Sequence, residues 1–472
     1  MQNTQKRPLN AFIIAMINIA AICNIGSLTI YASNGFSAIF YLLIASIFFF
    51  VPVALISSEL SSGWPQRGGV YVWVKEALGS RFGFMAIWLQ WMENIIWYPT
   101  SLSFVLATFA YIFNPTLAEN KLYIMIMVPT IFWTLTLLNF LGMKFSGWFS
   151  TVCTLLGTLL PGLFIISYGL IWILQGHPSY INYSLDNFFP SSATFQQLGC
   201  LAGILLTLSG LEMSANHAKE VQNPKRTYPL AILISTVLIF FVYAFGSLAI
   251  ASVVPRDKIN LAAGSIEAFK TFFIYFGIPW ATPYMATLMS IGAIGMVSTW
   301  IAGPTKGVLA TAEHGELPPL LQKENKKSMP IALLLIQAII VTILSCVFLF
   351  MPTISSSFWM LFNLTAILYL IMYLLMFISA VVLRYKKPDV ERAFKIPFKN
   401  VGMWITACCG MLGASFAIIM SFFPFEDLQK INVVYFDIFL AVGIIFFVST
   451  SLIITHKKHP SWHKKPAVLE QD

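Results

Sequence analysis

Cys23-Asn24-Ile25-Gly26-Ser27-Leu28-Thr29 interrupts an apolar run over residues 9–31, and Thr207-Leu208-Ser209-Gly210-Leu211-Glu212-Met213-Ser214-Ala215 interrupts a second over residues 195–216. Lipid tolerates loosened backbone at that depth only where it is buried in protein or lines a cavity. Either glycine alone reads equally as a point of close helix packing. The pair, the second with an acid two residues after its glycine, predicts two unwound helices that face a ligand. Half-helix N-termini there offer amide N–H groups to a carboxylate, and freed carbonyls suit an ammonium group. That chemistry fits an amino acid.

The remainder of the chain has the composition of a protein dissolved in lipid. Of 472 residues 58% are apolar and 10% charged, whereas soluble domains carry roughly 25% charged residues. An all-α polytopic membrane protein follows. At about 20 apolar residues per crossing, twelve spans fall near 10–31, 38–61, 82–113, 121–141, 146–174, 195–216, 229–254, 279–308, 330–350, 357–384, 400–423 and 432–455. The first is read as a retained span, because it lacks a convincing processing site.

The two breaks open two five-span units, 10–174 and 195–384. An odd number of spans makes the second unit enter from the opposite face, as inverted repeats do. Spans eleven and twelve (400–455) lie outside the repeat. The tail 456–472, with four lysines and three histidines, is expected to be a solvated end. No linker divides the chain, so 1–472 reads as one transmembrane domain. Placing both termini on one face collects 23 Lys and Arg there and leaves five opposite: Lys121, Arg256, Lys258, Lys270 and Lys430. The positive-inside rule puts the basic face, and both termini, in the cytoplasm.

The formal charge of +9 is scattered through short loops, which suits topology and not nucleic acid. Cys23, Cys153, Cys200, Cys346, Cys408 and Cys409 fall within or beside apolar stretches, so no disulfide framework is expected. Metal chemistry or catalysis would need clustered ligands or a nucleophile with its base. His177, His217 and His314 stand apart, and neither cofactor nor enzyme activity is expected.

Two acids lie deep in spans, Glu93 and Glu212. A carboxylate there costs roughly 2.5–3.5 kcal/mol on insertion scales, so each should face a cavity, find a partner or be protonated. Glu212 suits a coupling or gating carboxylate, or a cap on the broken helix. Glu93 suits a cargo-ammonium contact, a proton site or an internal hydrogen bond. Ser298 and Thr299 carry hydroxyls that join a sodium site or bond their own backbone, and Lys306 is expected to snorkel or pair. The 63–79 stretch reads as a cytoplasmic gate, with Arg67, Lys75 and Arg81 closing on acids such as Glu220, or as an interfacial helix.

Several motifs together resemble the amino acid/polyamine/organocation superfamily, and within it the bacterial glutamate/GABA antiporters. They are Glu59-Leu60 through Pro65 and Gly68-Gly69-Val70-Tyr71-Val72-Trp73-Val74 to Gly79; Ser209-Gly210-Leu211-Glu212 with Glu220 and Asn223-Pro224-Lys225-Arg226; and Trp300-Ile301-Ala302-Gly303-Pro304-Thr305-Lys306-Gly307 to Gly315. The resemblance implies a twelve-helix LeuT-type arrangement of five plus five inverted helices, and exchange or proton-coupled movement of amino acids. It implies carboxylate-binding backbone at Ile25, Gly26 and Ser27, a span-six site at Ser209, Gly210 and Leu211, and aromatics at Trp300 and Tyr369.

Three positions depart from that pattern. Leu28 replaces the last glycine of the superfamily's first break, Leu206 stands where arginine/agmatine exchangers carry a gating tryptophan, and Met296 where glutamate/GABA exchangers carry an acid. The expectation is therefore an amino-acid transporter, by antiport or proton-coupled uptake and glutamate/GABA-like in its resemblance, without a span-six aromatic gate or a C-terminal plug. The alternative is a channel or sensor on the same fold. Proton coupling and a homo-oligomer are compatible with either.

Overall fold

The structure is a computed structural model describing residues 9–190, 201, 203–215, 221–256, 259, 264–350, 353–423, 433–459 and 462. Among these residues the ordered backbone is helical, with strand-like pairing confined to isolated bridges joining Leu9 to Val221 and Glu324 to Pro330. The first span is split into α1 (Ala11–Ile22) and α2 (Leu28–Ala32) by a 3-10 turn, Ile25–Ser27. There follow α3 (Ser37–Gly63), α4 (Val70–Leu78), α5 (Ser80–Phe113), α6 (Lys121–Asn139), α7 (Met143–Leu174) and α8 (Pro224–Val253). The chain continues through α9 (Gly264–Tyr275), α10 (Ala281–Glu313), α11 (Ile331–Phe350), α12 (Ile354–Lys386), α13 (Lys399–Met420) and α14 (Val433–His456).

Among the described residues nine helices are long and apolar enough to cross a bilayer, and the α1/α2 pair, bent by 45°, makes a tenth. α5 is long enough but is not among the nine; it carries Arg81, Gln90, Glu93 and Asn94. Expected and observed bounds agree within a few residues elsewhere, with α7 starting earlier than expected and α10 running on to Glu313. Residues 195–200, 202 and 216 of the expected sixth span lie outside the described residues; residue 201 and residues 203–207 are helical, and the chain turns after them.

α9 was not expected. Its 12 residues are too short for a spanning criterion, yet Ile266, Phe269, Phe272 and Phe273 bury one side of it. α4 packs inward, with Val70, Tyr71, Trp73 and Val74 all buried in protein.

The helices differ sharply in how much protein covers them. The most apolar windows of α10 and α12 are 72% and 78% buried, against 17% for α14, so α10 and α12 form the centre and α14 lies at the periphery. Close packing uses small residues where helices cross: a Cβ on Gly157 of α7 would collide with the Gly292 backbone of α10. There the packing role of glycine applies in full.

Candidate functional site

α1 ends because Cys23 and Asn24 adopt extended backbone, with ψ of 108° and 124°. Backbone that leaves a helix inside a membrane must find other partners, and here side chains supply them. The Asn24 Oδ1 accepts the Gly26 N–H at 2.9 Å, Ser265 Oγ donates to the Ile25 carbonyl at 2.7 Å, and Thr29 Oγ1 donates to the Gly26 carbonyl at 2.7 Å. Trp300 Nε1 donates to the Ala21 carbonyl at 2.8 Å. The free amide expected at Gly26 is therefore occupied from within the chain.

The second break turns on Gly210, whose φ of +122° strains any residue with a side chain. Its N–H donates to the Tyr373 hydroxyl at 2.7 Å. That hydroxyl donates in turn to Glu212 Oε2 at 2.5 Å, while Tyr369 Oη (2.6 Å) and Gln90 Nε2 (2.9 Å) donate to Oε1. Glu212 is fully buried with three neutral donors around one carboxylate. Ser209 Oγ turns back to the Leu205 carbonyl at 3.1 Å, and Leu211 packs in the core.

α10 and α12 close the space between the breaks. A Cβ on Gly210 would lie 2.9 Å from Trp300 Cζ2, and the Trp300 ring meets Tyr369 edge to face at 5.9 Å. α5 runs past both breaks on one face: Gln90 at Glu212, Trp97 at 6.3 Å from the Trp300 ring, and Phe104, whose ring fills the place a Gly26 Cβ would take. Positions 90, 97 and 104 are seven apart, close to two helical turns, which is why they align. Thus Gly26, Gly210, Glu212, Trp300 and Tyr369 gather in one region. Ile25 sits at its edge, and Ser27 serves the turn that starts α2.

Sequence reasoning missed Gln90, Phe104, Tyr243 and Tyr373. The last two sit on helices that read as uniformly apolar, and the only available signal was a tyrosine one turn from Tyr369. Glu93, one turn beyond Gln90, accepts a 2.5 Å hydrogen bond from Asn94 Nδ2, and its backbone carbonyl accepts one from Thr365.

Other residues singled out in the sequence have these surroundings. Ser298 Oγ accepts from Asn139 Nδ2 at 3.1 Å, while Thr299 Oγ1 bonds its own backbone, donating to the Gly295 carbonyl at 2.9 Å, and pairs with Ser150 at 2.5 Å. Lys306 is buried inside α10, which removes snorkelling and leaves pairing of the two expected fates. Arg67 pairs with Glu324 at 2.9 Å and Glu313 at 3.6 Å, and Lys75 lies over the Tyr71 ring. Glu220, the acid expected to receive them, lies outside the described residues. The tail is not wholly solvated: Lys458 pairs with buried Glu316 at 2.7 Å, and the Trp462 carbonyl accepts from Gln322 at 2.8 Å.

A family model for amino acid permeases matches residues 8–449. The chain is 42% identical over 457 residues to an uncharacterized transporter of Legionella pneumophila, covering 97% of this chain and 98% of that protein. It is 33% identical over 429 residues to a glutamate/gamma-aminobutyrate antiporter of Lactococcus lactis, with 90% and 84% covered. A probable agmatine/putrescine antiporter of the same species shares 24% identity over 436 residues, 90% of each chain.

Proposed function

The chain belongs to the amino acid permease family, and from that premise we propose that it exchanges amino acids or amines across the cytoplasmic membrane by alternating access, with both termini in the cytoplasm. The observation that carries this reading is the closure of both breaks by neutral side chains. Asn24 holds the Gly26 amide and Tyr373 holds the Gly210 amide, each through one hydrogen bond. A cargo carboxylate exchanges such a bond for a charge-assisted one, roughly twice as strong. Binding therefore competes with the contacts that lock the helices together, and the differential affinity shifts the closed form toward another state.

In this reading Ile25, Gly26, Ser27, Ser209, Gly210 and Leu211 contribute backbone to the cargo, and Trp300 and Tyr369 wall it. Glu212 is the coupling or gating carboxylate, because it joins α5, the second break and α12 through three hydrogen bonds. The paired breaks also support inverted repeats over 10–174 and 195–384, within a twelve-span domain.

Purified protein in preloaded liposomes tests the proposal. Saturable counterflow of an amino acid or amine is expected; flux that never saturates indicates a channel, and no flux over several cargoes and proton gradients defeats the reading. Trp300→Ala is expected to raise the half-saturation concentration, and an unaltered value removes Trp300 from the site.

A further inference from the structure

Among the described residues the buried acids fall into two kinds. Glu59 lies 2.9 Å from Arg384 and 3.5 Å from Arg392, and Glu316 lies 2.7 Å from Lys458. Glu93 and Glu212 are as deeply buried, and among the described residues neither has an ion pair. Glu212 has its three neutral donors. Glu93 has one, Asn94, whose amide nitrogen also donates to the Gln90 carbonyl at 2.7 Å.

The same face of α5 carries a second signal. Gln90 is fully buried, and its Oε1 has no hydrogen-bond partner. With Glu212 ionised, the Gln90 amide is fixed in this sense, Nε2 facing the Glu212 oxygen. Further along that face the hydroxyls of Ser101 and Thr108 are also buried without partners, as is that of Tyr98. A carboxylate short of donors beside an orphaned amide oxygen describes a receptor for N–H groups. An ammonium ion supplies three and brings the missing charge.

We infer that Glu93 and the Gln90 Oε1 receive a cargo ammonium group, and that the transporter selects cargo of net positive charge over glutamate. The inference rests on the transporter reading above and names its substrate class. The face involved is the one that passes both breaks, through Gln90 at Glu212, Trp97 at Trp300 and Phe104 at Gly26. Every amino acid brings an α-ammonium, but the side-chain carboxylate of glutamate adds a negative charge beside Glu93 and Glu212, which have no ion pair among the described residues. The second ammonium of lysine or putrescine instead brings them a cation.

The test uses full-length wild type, Glu93→Gln and Glu93→Asp in liposomes, with counterflow of lysine, putrescine, alanine and glutamate measured separately. The wild type is expected to half-saturate with lysine or putrescine at a concentration at least about tenfold below that for glutamate. Glu93→Gln is expected to shrink that ratio by about tenfold or more, and Glu93→Asp to keep most of it. A wild type that prefers glutamate, or a Gln variant that melts like wild type and keeps the ratio, overturns the inference. If the Gln variant does not fold, thermal shift of the wild type decides: greater stabilisation by lysine or putrescine supports the inference, and greater stabilisation by glutamate overturns it. Wild-type counterflow of alanine alone overturns this inference and leaves the transporter reading standing. No counterflow of any of the four removes the transporter reading itself.

Discussion

The Tyr243 hydroxyl of α8 lies 2.7 Å from the carbonyl oxygen of Ile22, the last residue of α1. The same hydroxyl lies 3.3 Å from the Thr207 carbonyl, where the second broken helix ends, and 3.4 Å from the Asn24 nitrogen. One phenol thus serves backbone freed by both breaks. Tyr31, stacked on it at 5.0 Å, adds a 2.6 Å hydrogen bond to Thr207 Oγ1. The two broken helices are therefore clipped together by side chains, and any state that opens between them must release these bonds.

Tyr243→Phe keeps the ring and deletes the clip. It leaves the Asn24 amide and the Ile22 carbonyl, the nearer acceptor of its single proton, short of a partner in a buried place, and an unsatisfied buried group costs about 1–3 kcal/mol. A lower thermal midpoint in detergent is expected, together with faster counterflow if release of the clip limits the cycle. A variant with wild-type melting shows that the hydroxyl holds nothing.

The two break glycines predict different penalties for alanine. At Gly26 the obstacle is the Phe104 ring, which sits where the Cβ would go, and Phe104→Ala is expected to restore much of what Gly26→Ala loses. At Gly210 the obstacle is φ of +122° as well as Trp300. Strain of this kind costs roughly 1–3 kcal/mol and moving a neighbour does not relieve it. Gly210→Ala combined with Trp300→Ala should therefore melt no higher than Gly210→Ala alone.

The breaks themselves were legible in the sequence, because Gly, Ser and Asn in the middle of apolar runs have few other uses. What closes them was not. Tyr243 and Tyr373 lie among apolar residues of α8 and α12 without a local pattern, and their partners are more than 30 positions away in the chain. Gln90 and Phe104 became meaningful only once α5 was seen to pass both breaks. The amides at Gly26 and Gly210 were expected to be free; a closed protein satisfies its own backbone, so they are held until something displaces the holder. α9 escaped notice because a length rule built for lipid crossings ignores short helices packed on protein.

Away from the candidate site, Glu59 receives Arg384 and the Ile396 amide at 2.9 and 2.8 Å, with Arg392 at 3.5 Å, tying the end of α3 to the segment after α12. Burial pushes the Arg392 guanidinium below its ordinary value, with Glu59 opposing. Removing one partner of a buried pair costs about 3–5 kcal/mol, since the other charge stays desolvated. Glu59→Gln is expected to lower the thermal midpoint strongly. Glu391→Gln removes the exposed partner of Lys225 and should leave the midpoint unchanged. Equal effects from the two substitutions would contradict the assignment of Glu59 as the anchor.

Glu212→Gln tests the carboxylate at the second break. The native side chain accepts from Gln90, Tyr369 and Tyr373, and an amide in its place has one acceptor oxygen and brings two N–H groups toward those donors. Tyr373 already accepts the Gly210 amide, so it has little freedom to turn round. The charge is lost and the three-helix junction loosens together. The pH dependence of exchange is expected to flatten. Tyr373→Phe should cost less in the Glu212→Gln background than in wild type, with a coupling of roughly 0.5–3 kcal/mol in a double-mutant cycle on melting. An unchanged pH profile removes the protonatable role, and additive effects of the two substitutions would show that Tyr373 acts on Gly210 alone.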